Sequence, residues 1–174
     1  MEEKRLLVVV DMQNDFISGT LGSDAAKNAI PAVAELISRE KQAGAEIVFT
    51  QDTHGKNYLF TREGKYLPVP HCLRGSEGWE IVPELAPYAD GARTFEKYEF
   101  GSIALADYAR KGRYREIILC GVCTDICVVS NAILLKTFCT EAEVKVISAA
   151  CAGTSAENHA AALRTLQSCH ILVE

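Results

Sequence analysis

Two rhythms of apolar residues alternate along the chain. Short unbroken runs rich in β-branched residues predict strands at Leu6–Val10, Glu46–Thr50, Arg93–Phe95, Glu116–Cys120, Val144–Ile147 and His170–Val173. Between them, Ala26, Ile30, Val33 and Ile37 recur at helical spacing, and Gly44 is placed to end that helix. Further helices are predicted through Ile103, Ala106 and Ala109, from about Asp125 to Phe138, and from His159 to Ser168. Strand and helix in alternation predict a mostly parallel sheet with helices on both faces. The expected fold is therefore a three-layer α/β/α, Rossmann-like domain, and a chain of 174 residues is expected to form one such domain over 1–174.

The rhythm fails in one place, from Asp52 to roughly Pro87. This stretch holds four of the five prolines and two of the four histidines, and a loop that long in a compact domain is usually functional. In folds of this class ligands bind beyond the carboxyl ends of the strands. The chemically capable residues gather there: Asp11 ends the first strand, Asp52 follows the second, Lys97 follows the third, and Gly121–Cys127 follows the fourth.

Composition narrows the function. A formal net charge of −5, with no Lys/Arg cluster, argues against nucleic-acid or anionic-membrane partners. The opening Met1-Glu2-Glu3-Lys4-Arg5 runs directly into a short strand, with neither a signal peptide nor a membrane span, so a cytoplasmic protein is expected. Seven cysteines in such a chain read mostly as small core hydrophobes, Cys120, Cys139, Cys151 and Cys169 among them, rather than as a disulfide framework.

Cys127 is the exception. It sits where a strand passes into a helix, and a thiol in a first helical turn faces the positive end of the helix dipole, which lowers its pKa. Free N–H groups there can also hold a developing oxyanion. Lys97 can stabilise the thiolate and Asp11 can carry a proton. The same residues also read as a buried Cys, a turn-capping Asp and a solvated Lys. Cys120, Cys123 and Cys127 suggest a Cys-x2-Cys-x3-Cys metal or iron–sulfur site, but a fourth ligand at sensible spacing is missing. Asp52, His54 and His71 form a second constellation, suited to Zn²⁺, Mn²⁺ or Fe²⁺, or equally three surface residues of a loop. Glu63 is a fourth candidate ligand that reads more naturally as a solvated loop carboxylate.

Four motifs in order carry a resemblance: Val9-Val10-Asp11-Met12-Gln13-Asn14-Asp15-Phe16; Lys97 with Ser102; Gly121-Val122-Cys123-Thr124-Asp125-Ile126-Cys127-Val128; and Glu157-Asn158-His159 ahead of Ala162-Leu163. With them the chain resembles the isochorismatase-like cysteine hydrolases over nearly its whole length, and within them the nicotinamidase branch. The resemblance implies a catalytic triad of Asp11, Lys97 and Cys127. It also implies a cis Val122–Cys123 peptide, and an oxyanion hole from the N–H groups of Cys123 and Cys127. Cys123 stands where the family usually has Ala. Asp52-Thr53-His54 and His71-Cys72-Leu73-Arg74-Gly75-Ser76-Glu77-Gly78 match the branch's metal-binding motifs, so the resemblance tips the second constellation towards a divalent metal, zinc first, that orients the substrate ring. The family often has Trp where this chain has Thr53, and Trp-Pro where it has Pro68-Val69, so the aromatic wall must come from elsewhere. Phe16, Tyr58, Tyr66 and Tyr98 are candidates, with Phe16 and Tyr98 foremost. Trp79, at an expected helix start, is assigned to core or interface, and His159 to structure; His170, at the start of the last strand, has no evident partner.

The implied reaction is hydrolysis of nicotinamide to nicotinate and ammonia, feeding NAD salvage. A related amidohydrolase acting on a carbamoyl or ureido compound uses the same triad. A thiol redox sensor built on Cys123 and Cys127, or an inactive binder, is the alternative of another class. The resemblance further suggests a homo-oligomer, a dimer or larger.

Overall fold

From Leu6 to Val10 every residue of the first strand is completely buried, which requires a neighbouring strand on each edge and a layer of side chains on each face. The structure, a computed structural model, describes residues 4–174 and supplies both. In chain order the main elements are β1 (Arg5–Val10), α1 (Asn14–Ile17), α2 (Asp24–Gln42), β2 (Glu46–Asp52), α3 (Arg62–Tyr66), α4 (Ala86–Ala89) and β3 (Arg93–Lys97). They continue with α5 (Ile103–Gly112), β4 (Glu116–Val122), α6 (Val129–Phe138), β5 (Glu143–Ala152), α7 (Ala156–Ser168) and β6 (Leu172–Val173). The strands form one six-stranded sheet in the order β3-β2-β1-β4-β5-β6, with every pairing parallel. Helix α2 packs across β1, β2, β4 and β5, while α5, α6 and α7 pack side by side. This is the three-layer α/β/α arrangement expected from the alternating pattern.

The chain winds from β1 outward through β2 to β3, then crosses back to β4 on the other side of β1. That reversal opens a crevice beyond the carboxyl ends of β1 and β4. The helices that frame it start where their sequences dictate. Ser23, Ser102 and Ser155 cap α2, α5 and α7, each side chain accepting a hydrogen bond from an N–H three residues on. Gly44, at φ +79°, follows the end of α2 as expected.

Several expectations shift. Strands β2, β3 and β4 run about two residues further, so Asp52 and Lys97 are the last residues of their strands rather than the first beyond them. The long irregular stretch contains α3, α4 and two 3₁₀ turns, and Trp79 closes one of those turns instead of starting a helix. The segment expected as one helix from Asp125 begins with a π-type turn, Thr124–Val128, before α6. Cys169 is exposed after the last turn of α7, not core, and Cys139 is only half-buried. His170 occupies a left-handed turn, φ 60°, and β6 begins after it at Leu172. Among the described residues, no helix is long and apolar enough to cross a membrane.

Candidate active site

Strand β1 delivers Asp11 at its tip, where the backbone turns into the left-handed region at φ 48°, a conformation that Asp tolerates better than most residues. Beside it, β4 comes unusually close. A Cβ on Gly121, which lies at φ +113°, would stand 2.1 Å from the Val10 carbonyl oxygen, so only glycine fits. The Val122–Cys123 peptide that follows is cis, and the π-type turn then carries Cys127 back over the end of β1. On the other side, Asp52 of β2 and Lys97 of β3 are register partners.

These residues meet. Lys97 Nζ lies 2.7 Å from Asp11 Oδ2, 3.1 Å from Asp52 Oδ1 and 3.4 Å from Cys127 Sγ. Asp11, Lys97 and Cys127 are all buried. Asp11 Oδ1 accepts a 2.6 Å hydrogen bond from Thr50; Asp11 Oδ2, despite the nearby ammonium, has no well-aligned donor. Asp11, Lys97 and Cys127, each following or ending a strand, thus stand together. Thr50 joins them with no signal in the sequence beyond a hydroxyl near the end of an apolar strand.

Electrostatics at the thiol differ from expectation. Burial first, and then Asp11, push the Cys127 thiol well above its ordinary value, with Lys97 opposing them. The turn dipole and one ammonium do not outweigh desolvation beside two carboxylates. Burial, with Asp52, also raises Asp11 against the pull of Lys97 and Thr50. Burial works against the Lys97 ammonium, but Asp11, Cys127 and Asp52 together raise its pKa well above the usual lysine range. Burial and mutual contact thus push the thiol and Asp11 towards their protonated forms and hold Lys97 as the ammonium. Burial and then Asp125 and Asp11 push the Cys123 thiol up to about 12 as well; what distinguishes Cys127 is its contact with Lys97 Nζ.

Next to Asp52 stands the second cluster. Asp52, His54, Glu63 and His71 each present a ligand atom, all within 4.8 Å of one another, and they form the one such group among the described residues. His54 Nε2 and His71 Nε2 lie 2.9 and 3.3 Å from Asp52 Oδ2, and 3.7 and 3.8 Å from Glu63 Oε1. Glu63 is thus no solvated loop carboxylate: α3 folds it over the two imidazoles, with its side chain 15% exposed. His71 Nδ1 is 2.8 Å from the Val69 carbonyl, which holds Nδ1–H as donor and aims Nε2 at the cluster. Burial raises the Asp52 carboxyl, but His54, His71 and Lys97 together pull it far below the usual range. Burial opposes the charge on His71, yet Asp52 and the Val69 carbonyl raise its pKa above the ordinary imidazole value. Two imidazole nitrogens and two carboxylates suit a borderline-soft divalent metal, so the residues fit one.

The segment after β1 holds this cluster in position. Gln13 accepts from the Asp52 N–H at 2.8 Å and donates to the Asp52 and Trp79 carbonyls. Asp15 accepts from the Cys72 N–H at 2.8 Å, one residue from His71. Both carry the family motif, but their duties emerge only in three dimensions.

A cavity of about 340 Å³ joins the two centres, with Cys127 and Cys123 on one wall and Asp52, Glu63 and His71 on another. Phe16 lines it, its ring 5.6 Å from that of His71, and Phe100, unnoticed in the sequence, adds a second aromatic face. Tyr98 does not. It is 64% exposed and reaches Glu96, because the residue after inward-facing Lys97 points the opposite way. Tyr66 is 81% exposed, and Tyr58 is buried behind the imidazoles, edge-on to His54 and His71. Trp79 packs half-buried against the core and donates to Thr53 Oγ1. His159 bonds Thr124 Oγ1 at 2.8 Å, bracing the turn from α7. Cys120, buried against β1, joins no ligand cluster.

Known proteins resemble this chain in sequence and fold. The family model described as the isochorismatase domain matches residues 5–173. A nicotinamidase/pyrazinamidase of Mycobacterium tuberculosis is 31% identical over 145 residues, covering 74% of this chain and 76% of that protein. The pyrazinamidase/nicotinamidase structure from Streptococcus mutans superposes with a TM-score of 0.89 at 26% identity, covering 98% of this chain and 100% of that one. A Pyrococcus horikoshii pyrazinamidase, solved in complex with zinc, superposes with a TM-score of 0.84 at 30% identity over 98% of both chains.

Proposed function

The chain belongs to the isochorismatase family and is a hydrolase of amide bonds, and from that premise we propose that it is a nicotinamidase using Cys127 as nucleophile. The observation that carries this reading is the contact of Cys127, Lys97 and Asp11 beside a cavity lined by Cys127 and by Asp52, Glu63 and His71 of the four-donor cluster.

The chemistry follows from these contacts. A pyridinecarboxamide lies in the cavity with its ring beside Phe16 and Phe100. Asp11, a stronger base than an ordinary carboxylate because its pKa is raised, takes the Cys127 proton as Sγ attacks the amide carbon. Lys97 stabilises negative charge on the sulfur, and the N–H groups of Cys123 and Cys127 receive the oxyanion. Asp11 passes the proton to the departing nitrogen, ammonia leaves, and a thioester remains on Cys127. Water, deprotonated by Asp11, attacks the thioester; carboxylic acid and thiol are regenerated. Asp52, His54, Glu63 and His71 would hold a divalent ion, zinc foremost, which would supply a Lewis acid to orient the substrate ring. The residues' part is to hold it a fixed distance from the thiol.

The aromatic side chains lining the cavity, Phe16 and Phe100, favour a heteroaromatic amide over a carbamoyl or ureido acid. Ammonia release from nicotinamide, pyrazinamide and carbamoyl amino acids, with and without a chelator, tests the reading. Chelator-sensitive turnover of the two pyridine- or pyrazine-type amides is expected; turnover of carbamoyl amino acids alone would overturn it.

A further inference from the structure

Lys97 and Cys127 touch, yet the sheet does not place them side by side. Lys97 ends β3 and Cys127 follows β4, and strands β2 and β1 lie between. Their 3.4 Å approach therefore depends on how the segment after Lys97 is tied to the turn that carries Cys127. One carboxamide makes that tie. Asn131, on α6, is completely buried. Its Oδ1 accepts from the Ser102 N–H at 2.9 Å, and its Nδ2 donates to the Phe100 carbonyl at 3.0 Å and to the carbonyl of Cys127 itself at 2.8 Å. The segment is also drawn tight against α6 sterically: a Cβ on Gly101 would stand 2.5 Å from Leu134 Cδ1.

We infer that Asn131 is a positioning residue for the hydrolytic reaction, a clamp that fixes the Lys97 segment, the Phe100 wall and the Cys127 turn relative to one another. A buried amide with three bonds to three separate backbone groups has one orientation, because turning it end for end would face like against like. It also holds Cys127 by its own carbonyl rather than by its side chain, so the thiol stays free to react. Small displacements at a reacting centre are costly, a misplacement of about 1 Å removing on the order of 10²-fold in rate. This inference rests on Cys127 as nucleophile and goes beyond it.

The test uses the metal-loaded full chain. Asn131→Asp keeps the shape and the acceptor for Ser102 but removes both donors; Asn131→Ala removes all three bonds. Leu135→Ala, a core truncation on the same helix, serves as the purely structural comparison. For each, Tm, kcat, KM and the rate of iodoacetamide reaction at Cys127 are measured below the unfolding transition. The clamp requires kcat to fall about 10–100-fold in Asn131→Asp with KM within about threefold. It also requires a changed pH profile of alkylation, while Leu135→Ala lowers Tm with kcat within about threefold. The inference is overturned if Asn131→Asp keeps its kcat and alkylation profile, or if Leu135→Ala loses kcat equally. It is likewise overturned if neither Asn131 variant folds at any temperature, since the residue is then structural. A Cys127→Ala variant run alongside separates the two ideas: activity there defeats the nucleophile reading, whereas an inactive Cys127→Ala beside wild-type-like Asn131 variants defeats only the clamp.

Discussion

Replacing Lys97 by Met removes a buried ammonium from between two carboxylates and a thiol while keeping its length and most of its volume. The ion contacts at 2.7 and 3.1 Å are with Asp11 and Asp52, both buried. Deleting one partner of a buried ion pair costs about 3–5 kcal/mol, because the remaining charge is left uncompensated. For a chain of this length each kcal/mol moves Tm by roughly 2–4 °C, so a drop of about 6–20 °C is expected at pH 8. The sign of its pH dependence follows from Asp11. Its folded pKa is already raised above the ordinary 3.8, chiefly by burial and against the pull of Lys97. Without Lys97 that value climbs further. The penalty of holding Asp11 charged is complete above its folded pKa and fades as pH falls towards 3.8. The Tm gap between wild type and Lys97→Met should therefore be widest at pH 8 and narrow steadily by pH 5. In the same variant, ammonia release should fall on the order of 10³-fold, since the sulfur anion loses its counter-charge. Equal Tm gaps at pH 5 and pH 8, or activity within tenfold of wild type, would refute this reasoning.

Three other perturbations probe separate parts of the account. Thr50→Val deletes the 2.6 Å bond to Asp11 Oδ1 and should lower kcat about 10–100-fold, the equivalent of one hydrogen bond to a charged group; an unchanged kcat would show that Asp11 is held without it. Glu63→Gln removes one carboxylate from the four-donor cluster, and competition against a chelating dye should reveal zinc retention weakened at least 10–100-fold. Glu116→Gln breaks contacts to Arg5 and Lys145 on the far side of the molecule. Burial raises the Glu116 carboxyl, but Lys145 and Arg5 pull it below its ordinary 4.5. Its stabilisation is therefore present above 4.5 and lost on acidification, and calorimetry should show a Tm deficit of about 2–4 °C at pH 7 that closes at lower pH, with catalysis intact.

Much of this architecture is written locally. The run Leu6–Val10 has no polar residue, so its burial on both faces and the exceptional status of Asp11 at its end can both be read directly. Asp52 and Lys97 end their strands and Cys127 lies in the turn that follows β4, which is why one rule about strand ends gathers them. Contacts made across the fold were not legible. Glu63 is indistinguishable from a solvated carboxylate until α3 folds it over His54 and His71, and Thr50 and Gln13 look like ordinary polar residues until their hydrogen bonds are drawn. Tyr98 adjoins Lys97 in sequence, but the alternation of a strand turns it outward, to 64% exposure. The raised thiol of Cys127 follows from its burial beside Asp11, a quantity that spacing does not contain.

The central claim is that the acyl group passes through the sulfur of Cys127. Acid quenching of the zinc-loaded enzyme with excess nicotinamide, followed by peptide mass spectrometry, should find a nicotinoyl thioester on the peptide carrying Cys127, formed with the first equivalent of ammonia and absent from Cys127→Ala. Ammonia released at the wild-type rate by Cys127→Ala would contradict it.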